Sequence, residues 1–179
     1  MDYDSNSITT VSSDDSIAYI SGNKVYTGNK YGVATIEINI GEKYGVLRVR
    51  VVPALEYLKE KAQGTDAKPK DKRAYQLVDW LLSNIDAFKN PSTVSVVDVR
   101  YPMDEPWDAE SRPFYLVEIR AQNGFGGYTN QFFKLTSFRI EEADVYSFNG
   151  LGIYYEGNGT FTDSSSSYID IINKALSEK

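Results

Sequence analysis

Gly32-Val33-Ala34-Thr35-Ile36-Glu37-Ile38-Asn39-Ile40, followed by Gly41-Glu42-Lys43 and then by Leu47-Arg48-Val49-Arg50-Val51, is the stretch that decides the fold of this chain. Ala34, Ile36, Ile38 and Ile40 alternate with Val33, Thr35, Glu37 and Asn39. A period of two places these sets on opposite faces of one strand. Leu47, Val49 and Val51 alternate with Arg48 and Arg50 in the same way. Gly41-Glu42-Lys43 supplies a tight turn between them, so the two runs predict a hairpin. Upstream, Ile17-Ala18-Tyr19-Ile20 and Lys24-Val25-Tyr26 read as shorter strands joined by Ser21-Gly22-Asn23. Thr27-Gly28-Asn29-Lys30 then leads into the next strand. Turn signals recur about every ten residues, the spacing of a β-sandwich.

Ser12-Ser13-Asp14-Asp15-Ser16-Ile17-Ala18-Tyr19-Ile20, Gly22-Asn23-Lys24-Val25, Gly28, Gly32 and Ala34-Thr35-Ile36-Glu37-Ile38 together resemble the group 2 bacterial immunoglobulin-like domain, over roughly residues 6–52. The resemblance implies a small all-β sandwich of the kind found in tandem on bacterial surface and secreted proteins, often adhesins. It brings no catalytic residues with it. The family usually has a further strand ahead of this stretch, and an aromatic where Val11 stands here. Residues 1–52 are therefore expected to form a partial immunoglobulin-like sandwich. Its open edge would accept a strand from another copy or from upstream chain, unless local loops cover it.

The bulk composition narrows the function classes. The 179 residues include 19 Lys and Arg against 25 Asp and Glu, a net charge of −6, and neither cysteine nor histidine. That excludes a thiol nucleophile, a Ser-His-Asp triad and a thiolate or imidazole metal site. A side chain titrating near neutrality would have to be a strongly shifted carboxylate or lysine. The acidic balance argues against nucleic acid as a partner, which calls for a basic face. Apolar content of 41% and mean hydropathy of −0.40 describe a globular chain, and no apolar run is long enough to span a membrane. Met1-Asp2-Tyr3-Asp4-Ser5 has neither the basic nor the apolar region of a signal peptide, so none is expected within this chain. An extracytoplasmic location, at the cell surface or secreted, is what the family resemblance implies.

Residues 1–52 hold six acids and five bases, residues 53–72 four and five, and residues 73–179 fifteen and nine. Every Phe and Trp lies beyond residue 72. Two different cores are expected, with a helical, Lys-rich linker over 53–72 between them. Pro53 opens a short helix from Ala54 to Gln63, with Leu55, Leu58 and Ala62 on one face and Gly64 as its C-cap. Residues 64–70 read as a loop. Lys68, Lys70, Lys72 and Arg73 are either a solvated cluster or a contact for an anionic polymer such as teichoic acid or phospholipid.

The remainder, 73–179, is expected to be an α+β domain: an antiparallel sheet with N- and C-terminal helices on one face. Asp71 caps a helix from about Lys72 to Lys89, striped by Leu77, Val78, Leu81, Ile85 and Phe88. Val97, Val99 and Tyr101 share one face of a strand. Tyr115, Val117, Ile119 and Ala121 share another, opposite Leu116, Glu118 and Arg120. Phe132 to Ile140 reads as a third strand, and Asn149-Gly150 as a hairpin turn. Ser167-Tyr168-Ile169-Asp170 has capping-box spacing and opens a last helix striped by Tyr168, Ile169, Ile172 and Leu176.

Several constellations bear on chemistry. Asp104, Glu105, Asp108 and Glu110 put four carboxylates within seven positions, a candidate Ca²⁺ site without EF-hand spacing, or else an acidic solvated loop. Asp14 and Asp15 are a second Ca²⁺ candidate, or else an Asx turn. Trp107 with Tyr101 is a candidate stack for a sugar ring, or else Trp107 covers the core rim. Glu118 with Glu141 or Glu142 is a conceivable glycosidase pair. Ala121-Gln122-Asn123-Gly124-Phe125-Gly126-Gly127-Tyr128 is similar to a Gln-Asn-Gly-Phe-Gly turn in small domains of exported Gram-positive proteins. It reads as a hairpin loop in which Phe125 folds back as a plug; no Lys-Ser/Thr follows, so it is not a phosphate loop. Phe125 and Tyr128 are the remaining candidate ligand contacts.

Fourteen tyrosines incline the balance toward recognition, since Tyr offers large contact area at low entropic cost. The expectation is a non-enzymatic extracytoplasmic binding or adhesion module for a cell-wall glycan or host surface ligand, with no cofactor beyond the candidate Ca²⁺. The alternatives are a carbohydrate- or cell-wall-active enzyme using carboxylates of the second domain, and a structural spacer or assembly subunit joined by β-edge pairing.

Overall fold

A computed structural model of the chain describes residues 8–102, 115–135, 140–143, 146–147, 153–154, 161–162 and 166–178. The fold is mixed α+β, dominated by antiparallel strands. Two compact units divide it, Met1–Pro53 and Ala54–Lys179.

The first unit holds β1 (Ile8–Ser12), β2 (Ala18–Ser21), β3 (Lys24–Thr27), β4 (Gly32–Ile40) and β5 (Lys43–Val51). They form a three-stranded sheet in the order β1-β4-β5 and a β2–β3 hairpin. Ile40 pairs with Lys43, so the turn between β4 and β5 is the two residues Gly41 and Glu42, with Gly41 at φ 59°. The alternation read from the sequence sets the faces: Ala34 and Ile36 are fully buried, while Val33, Thr35 and Glu37 are exposed. Ala18 of β2 completes the buried set, flanked by Ile17, Ile20, Ile38, Val49 and Val51. Gly28 lies where the backbone of residues 15–16 crosses: a Cβ there would sit 2.1 Å from the Ser16 carbonyl oxygen. Only a residue without a side chain fits that approach.

The second unit opens with α1 (Ala54–Gln63) and α2 (Pro69–Ser83), then two short 3-10 turns, Ile85–Ala87 and Pro91–Thr93. β6 (Ser95–Pro102), β7 (Tyr115–Gln122), β8 (Tyr128–Leu135), β9 (Ile140–Glu142), β10 (Tyr146–Ser147), β11 (Ile153–Tyr154) and β12 (Phe161–Thr162) follow, and α3 (Ser166–Ser177) comes last. The sheet is antiparallel in the order β12-β6-β7-β8-β9, and β10 pairs with β11 as a separate ladder. Val96, Val99, Val117, Ile119, Ala121 and Leu135 line its core face. Against them pack Ala54 and Leu58 of α1, Ala74, Leu77, Val78 and Leu81 of α2, and Ile172, Ala175 and Leu176 of α3.

Several details depart from the sequence reading. Residues 53–72 are in large part members of the second unit: Ala54 and Leu58 are buried in its core, and Glu178 Oε2 accepts the Ala54 N–H at 2.6 Å. A linker helix and a core helix share the same apolar stripe, so spacing alone does not separate them. α2 begins at Pro69, which puts Asp71 inside its first turn; the carboxylate accepts the Lys68 N–H at 3.0 Å and the Tyr168 hydroxyl. The helix stops at Ser83, where Asn84 donates its amide side chain to the Trp80 carbonyl at 2.8 Å.

A bulge in β6 between Val96 and Asp98 turns both Val96 and Val99 to the core and leaves Val97 40% exposed, so Val97 and Val99 do not share a face. The Asn173 side chain clamps this point, accepting the Val96 N–H and donating to the Val96 carbonyl, each at 2.8 Å. Residues read as one strand over 132–140 are β8 and β9, paired to each other with Leu135 opposite Ile140. α3 starts at Ser166, so Ser167 lies within its first turn rather than ahead of it.

Candidate binding surface at the β7–β8 hairpin

The hairpin between β7 and β8 carries two of the residues singled out from sequence, Phe125 and Tyr128. Gln122 pairs with Tyr128, leaving residues 123–127 as the loop. Three glycines in five positions make such a loop floppy unless something ties it. Asn123 does so. Its N–H donates to the Gly127 carbonyl at 2.8 Å, and its Oδ1 accepts the N–H groups of Phe125 and Gly127, both at 3.0 Å. Gly126 takes φ 86° and its carbonyl accepts the Gln122 amide at 2.7 Å. The base is held from outside as well. Asn90 donates to the Gln122 and Asn123 carbonyls, and Thr93 Oγ1 accepts the Gln122 N–H at 2.9 Å.

Phe125 stands at the tip of this braced turn and is completely exposed. It does not fold back as a plug. The hydrogen bonds on either side of it fix the backbone so that the ring points away from the sheet. Tyr128 follows at 54% exposure, with the Arg120 guanidinium 4.6 Å from its ring centroid. That stacking holds the Tyr128 ring in place. Leaving a Phe side chain in water instead of burying it forgoes about 1.5–3 kcal/mol. The tip is therefore a rigid, apolar projection bordered by polar groups.

On the sheet face away from the helices, Asp98 and Glu118 lie directly opposite each other across β6 and β7, and both are largely buried. Glu118 Oε1 accepts the Asn130 amide at 2.6 Å, and Asp98 Oδ1 accepts the Val99 N–H at 2.8 Å. The carboxylate beside Glu118 is thus Asp98 and not one of the two on β9. Glu141 pairs instead with Lys134. Asp98 escaped the sequence reading because alternation along one strand gives the face of a residue but not its neighbour across the sheet, which the β6–β7 register sets.

A cleft of about 500 Å³ lies at the α1–α2 joint, lined by Tyr57, Lys61, Lys68 and Asp71 among others. Lys61 Nζ is 5.7 Å from the Tyr57 ring centroid, and Lys70 Nζ is 5.5 Å from that of Tyr168. Arg73 donates to Gln76 at 3.0 Å. Of the basic cluster read from the sequence, Lys70 thus faces an aromatic ring and Arg73 a side-chain amide.

In the first unit Asp14 forms an Asx turn, accepting the Ser16 N–H at 2.9 Å and the Ser16 hydroxyl. The Ser16 hydroxyl, then its N–H, and the nearby Lys30 charge hold the Asp14 carboxyl below the usual carboxylate range. Asp104, Glu105, Trp107, Asp108 and Glu110 lie outside the described residues. The backbone of Tyr101 sits in β6, opposite Thr162 of β12. No helix among the described residues is long and apolar enough to cross a membrane. Compared with family models, with characterised proteins and with solved structures, the chain matches none.

Proposed function

We propose that this chain is a non-enzymatic binding or adhesion module of a bacterial surface or secreted protein, acting outside the cytoplasm on a cell-wall glycan or a host surface ligand. The observation that carries the reading is Phe125, fully exposed on a turn whose backbone is pinned on both sides. A ring displayed in this way stacks on the apolar face of a sugar or seats in a partner's pocket at little entropic cost. Tyr128 adds a hydroxyl and a second ring beside it. The antiparallel pairings of the first unit are in keeping with a partial immunoglobulin-like sandwich, and that likeness supports the surface location.

The test is binding of the labelled chain to glycan arrays and to isolated cell walls, beside Phe125→Ala. The reading expects wild-type binding and a loss of about tenfold or more in the variant at unchanged melting temperature. A silent wild-type chain, or equal binding by both, sinks it. The opposed carboxylates Asp98 and Glu118 favour a second reading, a carbohydrate- or cell-wall-active enzyme. Hydrolysis of cell-wall substrate that disappears in Glu118→Gln would establish that one in its place.

A further inference from the structure

β5 is an edge of the three-stranded sheet: β4 pairs one side, and among the described residues no strand pairs the other. It is nine residues long, and Lys43 to Arg48 are all exposed. Natural edge strands of this length are shielded or paired. Among the described residues, the sheet face that holds Ala34 and Ile36 is covered by β2, whose Ala18 packs there, at one end only. At the other end an open groove of about 410 Å³ runs over Ile38, Ile40, Gly45 and Leu47. A Cβ on Gly45 would meet nothing within 4 Å, and Leu47 on the same face is 37% exposed. The edge thus carries a hole and, two residues away, a knob.

We propose that this groove is filled by Leu47 of a second copy of the chain, through antiparallel β5–β5 pairing across a two-fold axis at Val46. In that register Leu47 of each copy lies opposite Gly45 of the other, beside Ile38, which pairs with Gly45 across β4 and β5. On the opposite face Val46 meets its own counterpart, Arg48 faces Tyr44 and Arg50 faces Glu42. On that face each arginine is met by a ring or a carboxylate; on the groove face Lys43 lies opposite Val49, and no like charges are directly opposed. Moving the axis by one residue sets Leu47 against Leu47 or Gly45 against Gly45, and the knob no longer faces the hole. The resulting interface is isologous, as a closed dimer requires.

Sedimentation of the full chain is expected to show a monomer–dimer equilibrium. Gly45→Leu, which fills the hole from within the monomer, is expected to weaken dimerisation about tenfold or more with an unchanged circular dichroism spectrum. Arg50→Glu is expected to weaken it as well, and adding Glu42→Arg to restore it. The chain has no cysteine of its own, so Val46→Cys reports the axis directly. Mild oxidation is expected to lock that variant as a disulfide dimer, and to leave Thr35→Cys, on exposed β4, monomeric. A chain that stays monomeric at millimolar concentration overturns the proposal. So does a dimer that survives Gly45→Leu or that Val46→Cys fails to lock.

Discussion

The two units solve the same problem with very different means. Among the described residues, the first buries three apolar side chains, Ala18, Ala34 and Ile36, whereas the main core of the second buries sixteen. The first unit relies on backbone pairing, on the Asx turn at Asp14 and on the close approach at Gly28. The second relies on three helices packed on one sheet face. The difference teaches that regular strand alternation specifies a hairpin without guaranteeing a deep core, and that the thin unit should be the more easily undone.

Both tryptophans, Trp80 and Trp107, lie in the second unit, so tryptophan fluorescence follows that unit alone while tyrosine follows both. The largest effect is expected from Ile36→Ala, about 3–4 kcal/mol lost from a core with little else in it. Its tyrosine-monitored denaturant transition should move sharply and its tryptophan transition stay in place. A common shift of both would mean that the units unfold as one. Gly28→Ala follows at about 3 kcal/mol, since its methyl group collides with the Ser16 carbonyl, again without touching the tryptophan signal.

In the thick unit, Asn173→Ala is expected to cost about 2–3 kcal/mol by stripping both partners from Val96 at the bulge. That loss should appear in the tryptophan transition and not in the first unit's. A smaller effect comes with pH. The folded pKa of Asp14 lies below its unfolded value, so its contribution is present above the ordinary carboxylate pKa and fades as pH falls through the folded value. Asp14→Asn should flatten the acid dependence of the first unit below about pH 4, where the unfolded carboxyl begins to take up its proton. Phe125→Ala should change stability least, within about 0.5 kcal/mol, because its ring touches only solvent.

What the sequence disclosed follows the same division. The β4–β5 hairpin was legible because the alternation over Ala34–Ile40 and over Leu47–Val51 agrees with the turn chemistry between them. The stripe of α2 was legible for the same reason. The reversal between β8 and β9 was not, because Thr136-Ser137-Phe138-Arg139 contains none of the glycine, proline or asparagine that marks a turn. The bulge at Val97 was hidden because an extra residue in a strand is set by the register of its partner. The clamp by Asn173 was hidden because an amide on a helix reads as solvated until its backbone partner is known. At the candidate site the residue type of Phe125 was legible and its direction was not. Three glycines permit either course, and the Asn123 hydrogen bonds choose outward.

The bond from Glu178 to the Ala54 N–H joins the last turn of the second unit to its first residue. A module whose two ends meet at one point is loaded there when the chain is stretched. Force entering at residue 54 and leaving at residue 178 would peel α1 from α3 before it shears the ladder of β6, β7 and β8. Such a unit would yield early and softly from its seam, with its sheet still intact.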